Sequence, residues 1–321
     1  MLKFITLDDI RTTKSWFLCQ DLTIGNKTLT KDLQINDTVV RFVKEHLEEI
    51  DYSRYVIVAN EPTEEKAIIN FITDIIKKFI DEEVKCINEK YYNIITLDLS
   101  DRMVIMISEL FKSLDFKYQI LLITNPVILK KSISLSIMSF YFGVKMDVKY
   151  KELEDLIYSS LLVNLNLCNN NSFTSIENNK FLVGYKEAII KSSYDMIADD
   201  RRLSANVKRI VRYANITSQT TNDIYYRETV DGKKEAVLKD ITLEIIQLSN
   251  DILTYNFNSN TIKNVYEKSP SYANPFLRPI IDGFVTDMHT RKRNHSYKSF
   301  SNIFVSIMNL FRNKMLSDKA V

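Results

Sequence analysis

Almost nothing in this chain lets the backbone turn sharply, because its 321 residues hold only five glycines and five prolines. Leu, Ile, Lys, Glu and Asp fill the space between them, a balance that favours long helices over short strands and tight turns. The five glycines stand alone at 25, 143, 184, 232 and 283. A phosphate-binding loop, a dinucleotide-binding turn and a nucleophile elbow each need clustered glycines, so all three are excluded. The expected fold is therefore mostly α.

Apolar periodicity divides the chain into four parts. Residues 1–60 mix short extended runs (Trp16-Phe-Leu-Cys19, Tyr55-Val-Ile-Val58) with a Gly25-Asn26 turn and a helix over 36–50, a small α+β domain. Residues 61–115 read as a helical linker. Within it, Ile68, Ile69, Ile72, Ile75, Ile76, Phe79 and Ile80 recur at helical spacing after Pro62, and a second helix starts at a Ser100 cap. Residues 116–288 form the main helical domain, with helices expected near 126–142, 150–167, 181–199, 203–216, 238–254, 260–267 and 274–288 and an Asn-rich break at 169–179. Tyr225–Val230 and Lys233–Val237 flank Asp231-Gly232, a β-hairpin signal inserted in the bundle. Residues 289–321 hold a basic segment and a last helix over 297–316.

Charge and cysteine content narrow the function classes. Lys plus Arg number 43 against 41 Asp plus Glu, a formal charge of +2, which is too even to suggest a nucleic-acid surface. Cys19, Cys86 and Cys168 have no paired spacing, so neither a disulfide framework nor a zinc knuckle is expected, and Cys19 and Cys86 read as small buried hydrophobes. No stretch reaches eighteen uninterrupted apolar residues, so no signal peptide or membrane span is expected and the cytoplasm is the expected compartment. His46, His289 and His295 are the only histidines, and His46 reads as an exposed helix residue. The acidic pairs Asp199-Asp200 and Glu82-Glu83, and Asp251 beside Asn250, read as solvated faces and caps. Arg201, Arg202, Lys208, Arg209 and Arg212 cluster on one expected helix and are candidate phosphate contacts, and Arg291-Lys-Arg293 is a second basic group.

From about Tyr118 to Thr286, roughly half the chain, five segments in order resemble the HD-GYP domain, a metal-binding helical bundle of bacterial cyclic di-GMP phosphodiesterases. Glu152-Leu-Glu-Asp-Leu-Ile-Tyr-Ser-Ser-Leu-Leu-Val-Asn-Leu-Asn-Leu167 resembles the helix ending in the family's Leu-Leu-His-Asp-Ile-Gly-Lys signature, with Val163 and Asn164 where His and Asp would stand. Ile189–Ile197 resembles a helix opened by a ligand histidine, a position held here by Ser192 or Ser193. Val207–Asn215 resembles the helix leading to paired histidines and a glutamate, replaced by Tyr213, Ala214 and Asn215. Thr220–Tyr226 and the hairpin stand in for the Gly-Tyr-Pro loop. Ile241–Asn250 resembles a helix ending in a ligand Asp, now Asn250, and Tyr272–Phe284 is similar to the closing Phe-Asp-Pro segment. A further ligand histidine would fall at Asn125-Pro-Val-Ile128. Residues 4–58 also resemble a small domain found ahead of HD-GYP domains.

The resemblance implies an HD-type bundle whose metal ligands are vacated. Metal-assisted phosphodiester hydrolysis needs anionic or imidazole ligands to hold cations that make hydroxide, and neutral amides with Val and Ala cannot supply them. The expectation is a catalytically inactive regulatory or scaffold component of bacterial signalling, with no cofactor, acting through a protein partner or self-association. One alternative is a metal-free sensor of cyclic di-GMP or another nucleotide held by the 201–212 cluster. The other is an active phosphodiesterase with displaced ligands such as Asp195, Asp199 or Asp251.

Overall fold

A computed structural model describes residues 1–24, 27–46, 55–169, 193–214, 218–221, 224–228, 234–238, 241–255 and 281–292. The protein is mostly helical and carries small antiparallel sheets. The Gly25-Asn26 turn, the Asn-rich break, Asp231-Gly232, Ser192, Asn215, His295, Arg293 and the helices expected at 260–267 and 297–316 lie outside the described residues.

The N-terminal unit contains β1 (Leu2–Thr6), a 3-10 turn (Leu7–Thr13), β2 (Phe17–Leu18), β3 (Leu22–Ile24), β4 (Lys27–Leu29), α1 (Asp37–Glu45) and β5 (Tyr55–Ala59). The sheet order is β1-β5-β2, antiparallel, with Leu2 opposite Ala59, Thr6 opposite Tyr55 and Phe17 opposite Ala59. Helix α1 starts where the Asn36 side chain accepts the Val39 N–H at 3.0 Å, and it buries Val39, Val40 and Val43. Strand β5 sits at the centre and is apolar along its length, as a strand covered on both faces must be. Its alternation divides two cores: Val56 and Val58 join Leu7, Ile10, Leu18 and Val43, whereas Ile57 and Ala59 face the helices.

The helices are α2 (Glu65–Lys90), α3 (Leu97–Ser113), α4 (Phe116–Ile123), α5 (Pro126–Lys145), α6 (Tyr150–Leu162), α7 (Ala205–Tyr213) and α8 (Ile241–Tyr255). A 3-10 turn (Leu165–Asn169), a helical turn over 193–197 and a helical stretch over 281–292 complete them. Helix α5 is the axis, packing against α2, α3, α4, α6 and α8. It is long and apolar enough to cross a membrane, but 72% of its most apolar window is buried among the other helices. A helix apolar on all sides is one that neighbours surround. Gly143 lets α6 come close, since a Cβ there would lie 2.6 Å from Leu153 Cδ1.

Residues 61–115 are more than a linker. Ile68, Ile72, Ile76, Ile80, Val84 and Ile87 of α2, with Met103, Ile107 and Phe111 of α3, belong to the same core as α5 and α6. Helix α3 begins three residues before the expected Ser100, because Thr96 accepts the Leu99 N–H and so acts as the cap. Further on, the hairpin is present, β7 (Ile224–Glu228) pairing with β8 (Lys234–Leu238) with Glu228 opposite Lys234. A third strand, β6 (Ser218–Thr221), pairs with β7 where a loop was expected.

The 281–292 helix runs past the boundary set at 288/289, so Arg291 and Lys292 of the basic triplet are helical. Phe284 packs edge-on against Tyr91 and Phe142 at 5.5 and 5.4 Å between ring centroids. Asp287 accepts from Tyr141 at 3.1 Å and from Lys145 at 2.8 Å, and Arg291 donates to the Asn93 carbonyl.

Candidate functional site

The positions that the resemblance assigns to lost metal ligands lie at the ends of α6 and α7, on the 193–197 turn and on α8, and these three helices pack on one another. Val163 closes α6, its N–H donating to Ser159 O at 2.9 Å, and is 1% exposed. Asn164 follows, 4% exposed, and its Nδ2 has no acceptor among the described residues. The Ser193 hydroxyl, fully buried, accepts the Asn166 N–H at 3.0 Å and so fastens the 193–197 turn to the residues just after Asn164. Ala214 closes α7 at 1% exposure, Tyr213 is half-buried beneath the Arg212 guanidinium, and Asn250 is 8% exposed on α8.

These residues do not fit a metal cage. Val163 and Ala214 carry no donor atom, Asn164 and Asn250 offer neutral amides, and Ser193 already accepts a backbone N–H. Among the described residues no three His, Cys, Asp or Glu side chains converge. Asp195 and Asp199 are exposed.

Sequence reasoning missed the polar group that the structure organises most completely. Asp155 stands on the buried face of α6, 5% exposed, and receives Ser204 Oγ on one oxygen at 2.9 Å and Asn206 Nδ2 on the other at 3.0 Å. Ser204 in turn caps α7 by accepting the Val207 N–H at 3.1 Å, so the carboxylate sits at the positive end of that helix. Asn206 Oδ1 accepts from Arg209 at 3.2 and 2.7 Å. The available signal was an acidic residue that shares a helix face with Ser159 and Leu162, which calls for a partner once that face is buried.

The basic cluster does not converge on a common point. Arg202 pairs with Asp200 and Asp115, and this binding raises its pKa and lowers that of Asp200. Lys208 donates to Ala198 O at 2.7 Å, Arg209 to Asn206, and Arg212 lies over the Tyr194 and Tyr213 rings at 5.3 and 5.2 Å. Arg201 is exposed.

A cleft of about 340 Å³ opens elsewhere, between the N-terminal unit and α4. Gln20, Asp21, Leu22, Thr23 and Tyr55 form one wall and Lys117 to Thr124 the other, with Met196 at the end. Tyr55 N–H donates to Thr124 O at 3.0 Å and ties the walls together. Tyr118 donates its hydroxyl to Met196 O at 3.0 Å, and burial raises its pKa.

No family matches. No protein-family model fits the chain, and neither a curated protein nor a solved structure matches it.

The remaining candidates are structural. His46 is half-buried at the end of α1, its Nδ1 2.9 Å from Phe42 O and its ring 4.4 Å from that of Phe42. His289 is exposed. Cys19 is buried and its thiol pKa is pushed up to about 11 by burial and by Asp32, the opposite of nucleophile activation. Cys86, expected inside, is exposed because it falls off the α2 stripe that buries Ile80, Val84 and Ile87. Glu83 accepts from Ser134 at 2.5 Å and Asp200 from Arg202, so each acidic pair has one structural member.

Proposed function

We propose that this chain is a catalytically inactive, HD-GYP-like helical protein that serves as a regulatory or scaffold component of bacterial signalling in the cytoplasm. The observation that carries the reading is that Val163, Asn164, Ser193 and Ala214 are each 4% exposed or less, with Val163 and Ala214 packed into the main hydrophobic core. Val163 and Ala214 carry no lone pair and Asn164 and Ser193 carry no charge, so the four are poor ligands for the cations that phosphodiester hydrolysis requires. Work through protein contacts is supported by apolar side chains left on the outside: Leu97 at 86% and Ile105 at 64% on α3, and Val144 and Tyr150 where α5 turns into α6.

The nucleotide-sensor reading ranks second because Arg202, Lys208, Arg209 and Arg212 already have partners within the protein. The test combines elemental analysis of the purified protein with titration and turnover of cyclic di-GMP in added manganese or iron. The expected outcome is no stoichiometric metal, no turnover and no nucleotide binding. Turnover or a bound metal overturns the proposal, and binding without metal transfers it to the sensor reading.

A further inference from the structure

We infer that the cleft between the N-terminal unit and α4 binds a small zwitterion with an apolar side chain, of which an aliphatic α-amino acid is the simplest. The inference rests on the cleft alone and stands whether or not the scaffold reading does. Three observations support it.

The first is charge placement. Asp21 lines the wall from the N-terminal unit and Lys117 lines the wall from α4, and no ion pair joins them. One oxygen of Asp21 accepts the Lys31 N–H at 2.7 Å, which fixes the carboxylate. The Lys117 ammonium stands 4.7 Å from the centroid of the Tyr118 ring, and the nearby Asp115 and Asp200 are occupied by Arg202. An α-amino acid head group bridging the cleft meets an opposite charge on each wall, its ammonium toward Asp21 and its carboxylate toward Lys117.

The second is the apolar lining beside those charges. Leu22, Ile120, Leu121 and Met196 present apolar surface, which a zwitterion without a hydrocarbon side chain would leave uncovered. Gln20, 3% exposed, gives its side-chain oxygen to the Ile57 N–H at 3.3 Å, which leaves its NH₂ as a neutral donor for a carboxylate.

The third is location and size. Small-molecule sites of roughly 300–1,000 Å³ concentrate at domain interfaces, and this cleft of about 340 Å³ lies across one. A ligand held by Asp21 and Lys117 would tie the N-terminal unit to α4 and stabilise the joined arrangement by mass action.

The probe is L-leucine, followed by ligand-detected NMR and thermal melting. Isocaproate lacks only the ammonium and isoamylamine lacks only the carboxylate. Leucine is expected to bind saturably in the millimolar range or tighter and to raise the melting temperature, with each analogue weaker by about 10-fold. Lys117→Met keeps most of the apolar length of the side chain, and Asp21→Asn keeps an oxygen for the Lys31 N–H, so both variants should fold. Each is expected to weaken leucine by about 10-fold, with Lys117→Met also weakening isocaproate and Asp21→Asn leaving isocaproate unchanged. Absence of saturable leucine binding by the wild-type protein overturns the inference, as does leucine binding that both variants retain in full.

Discussion

Asp155 and Asn164 are both buried polar residues at α6, one within the helix and one just beyond its end, yet the protein treats them in opposite ways. Asp155 has a donor on each carboxylate oxygen, and those donors are anchored in turn by the first turn of α7. Among the described residues, Asn164 Nδ2 has no acceptor and the Ser132 and Ser249 hydroxyls have no partner. A satisfied buried network holds elements in one arrangement, whereas an unsatisfied buried group costs about 1–3 kcal/mol and adds nothing in return. The joint between α6 and α7 is thus specified by polar chemistry. The region around Val163, Asn164 and Ala214 is held by apolar packing despite its leftover polar atoms.

The largest effect expected from this contrast is at Asp155. Asp155→Ala removes the acceptor of two half-buried donors and should lower stability by about 2–3 kcal/mol, read as a shift in the urea midpoint at unchanged slope. Asp155→Asn keeps one acceptor and should lose about half as much. If alanine here costs no more than a change at Asn164, the Asp155 network has no special weight and the comparison fails.

Smaller effects of opposite sign are expected at the unsatisfied groups. Ser132 is fully buried within α5, so Ser132→Ala removes a hydroxyl that has no partner among the described residues, with little change in volume and a gain in helix propensity. It should stabilise by about 0.5–1.5 kcal/mol in the same denaturation experiment. Asn164→Leu should fall within about 1 kcal/mol of wild type, because the lost polar penalty is offset by the strain of a bulkier side chain. A loss of several kcal/mol at either position would reveal a partner for these atoms, such as a bound ligand or ion, and would reopen the question of a working site.

Much of this was legible in the sequence, and what was not has physical causes. The Ile stripe of α2, the Pro126 start of α5 and the Ser204 region of α7 are local patterns, so helix type and approximate position follow from spacing alone. Strand β1 was missed because Leu2–Thr6 owes its conformation to pairing with β5, more than fifty residues away. Strand β6 was missed for the same reason, since Ser218–Thr221 is polar and becomes a strand only beside β7. The role of Asp155 depends on side chains from α7 that sequence spacing cannot bring to it. The cleft between Asp21 and Lys117 is likewise a product of two units meeting, and neither wall is marked by a motif. Cys86 shows the reverse error, an apolar residue type assigned to the interior without regard to the helix face on which it falls.

The smallest effect concerns the ion pairs that close the 198–203 segment onto the start of α4. The hydrogen bonds and charge of Arg202 hold the Asp200 carboxyl below its ordinary range. A carboxylate whose folded pKa is depressed adds stability above its unfolded pKa of about 3.9, and that stability disappears as pH falls through the folded value. Arg202→Met should therefore flatten the acid side of the stability curve below about pH 4 and leave its neutral side nearly parallel to wild type. Arg202 is 57% exposed, so solvent and salt screen the pair and the loss at neutral pH should stay under about 1 kcal/mol and shrink in high salt. Thermal melts across pH in low and high salt measure this directly. Were the loss large and insensitive to salt, Arg202 would belong with Asp155 among the groups that fix the fold, and the basic cluster would be structural throughout.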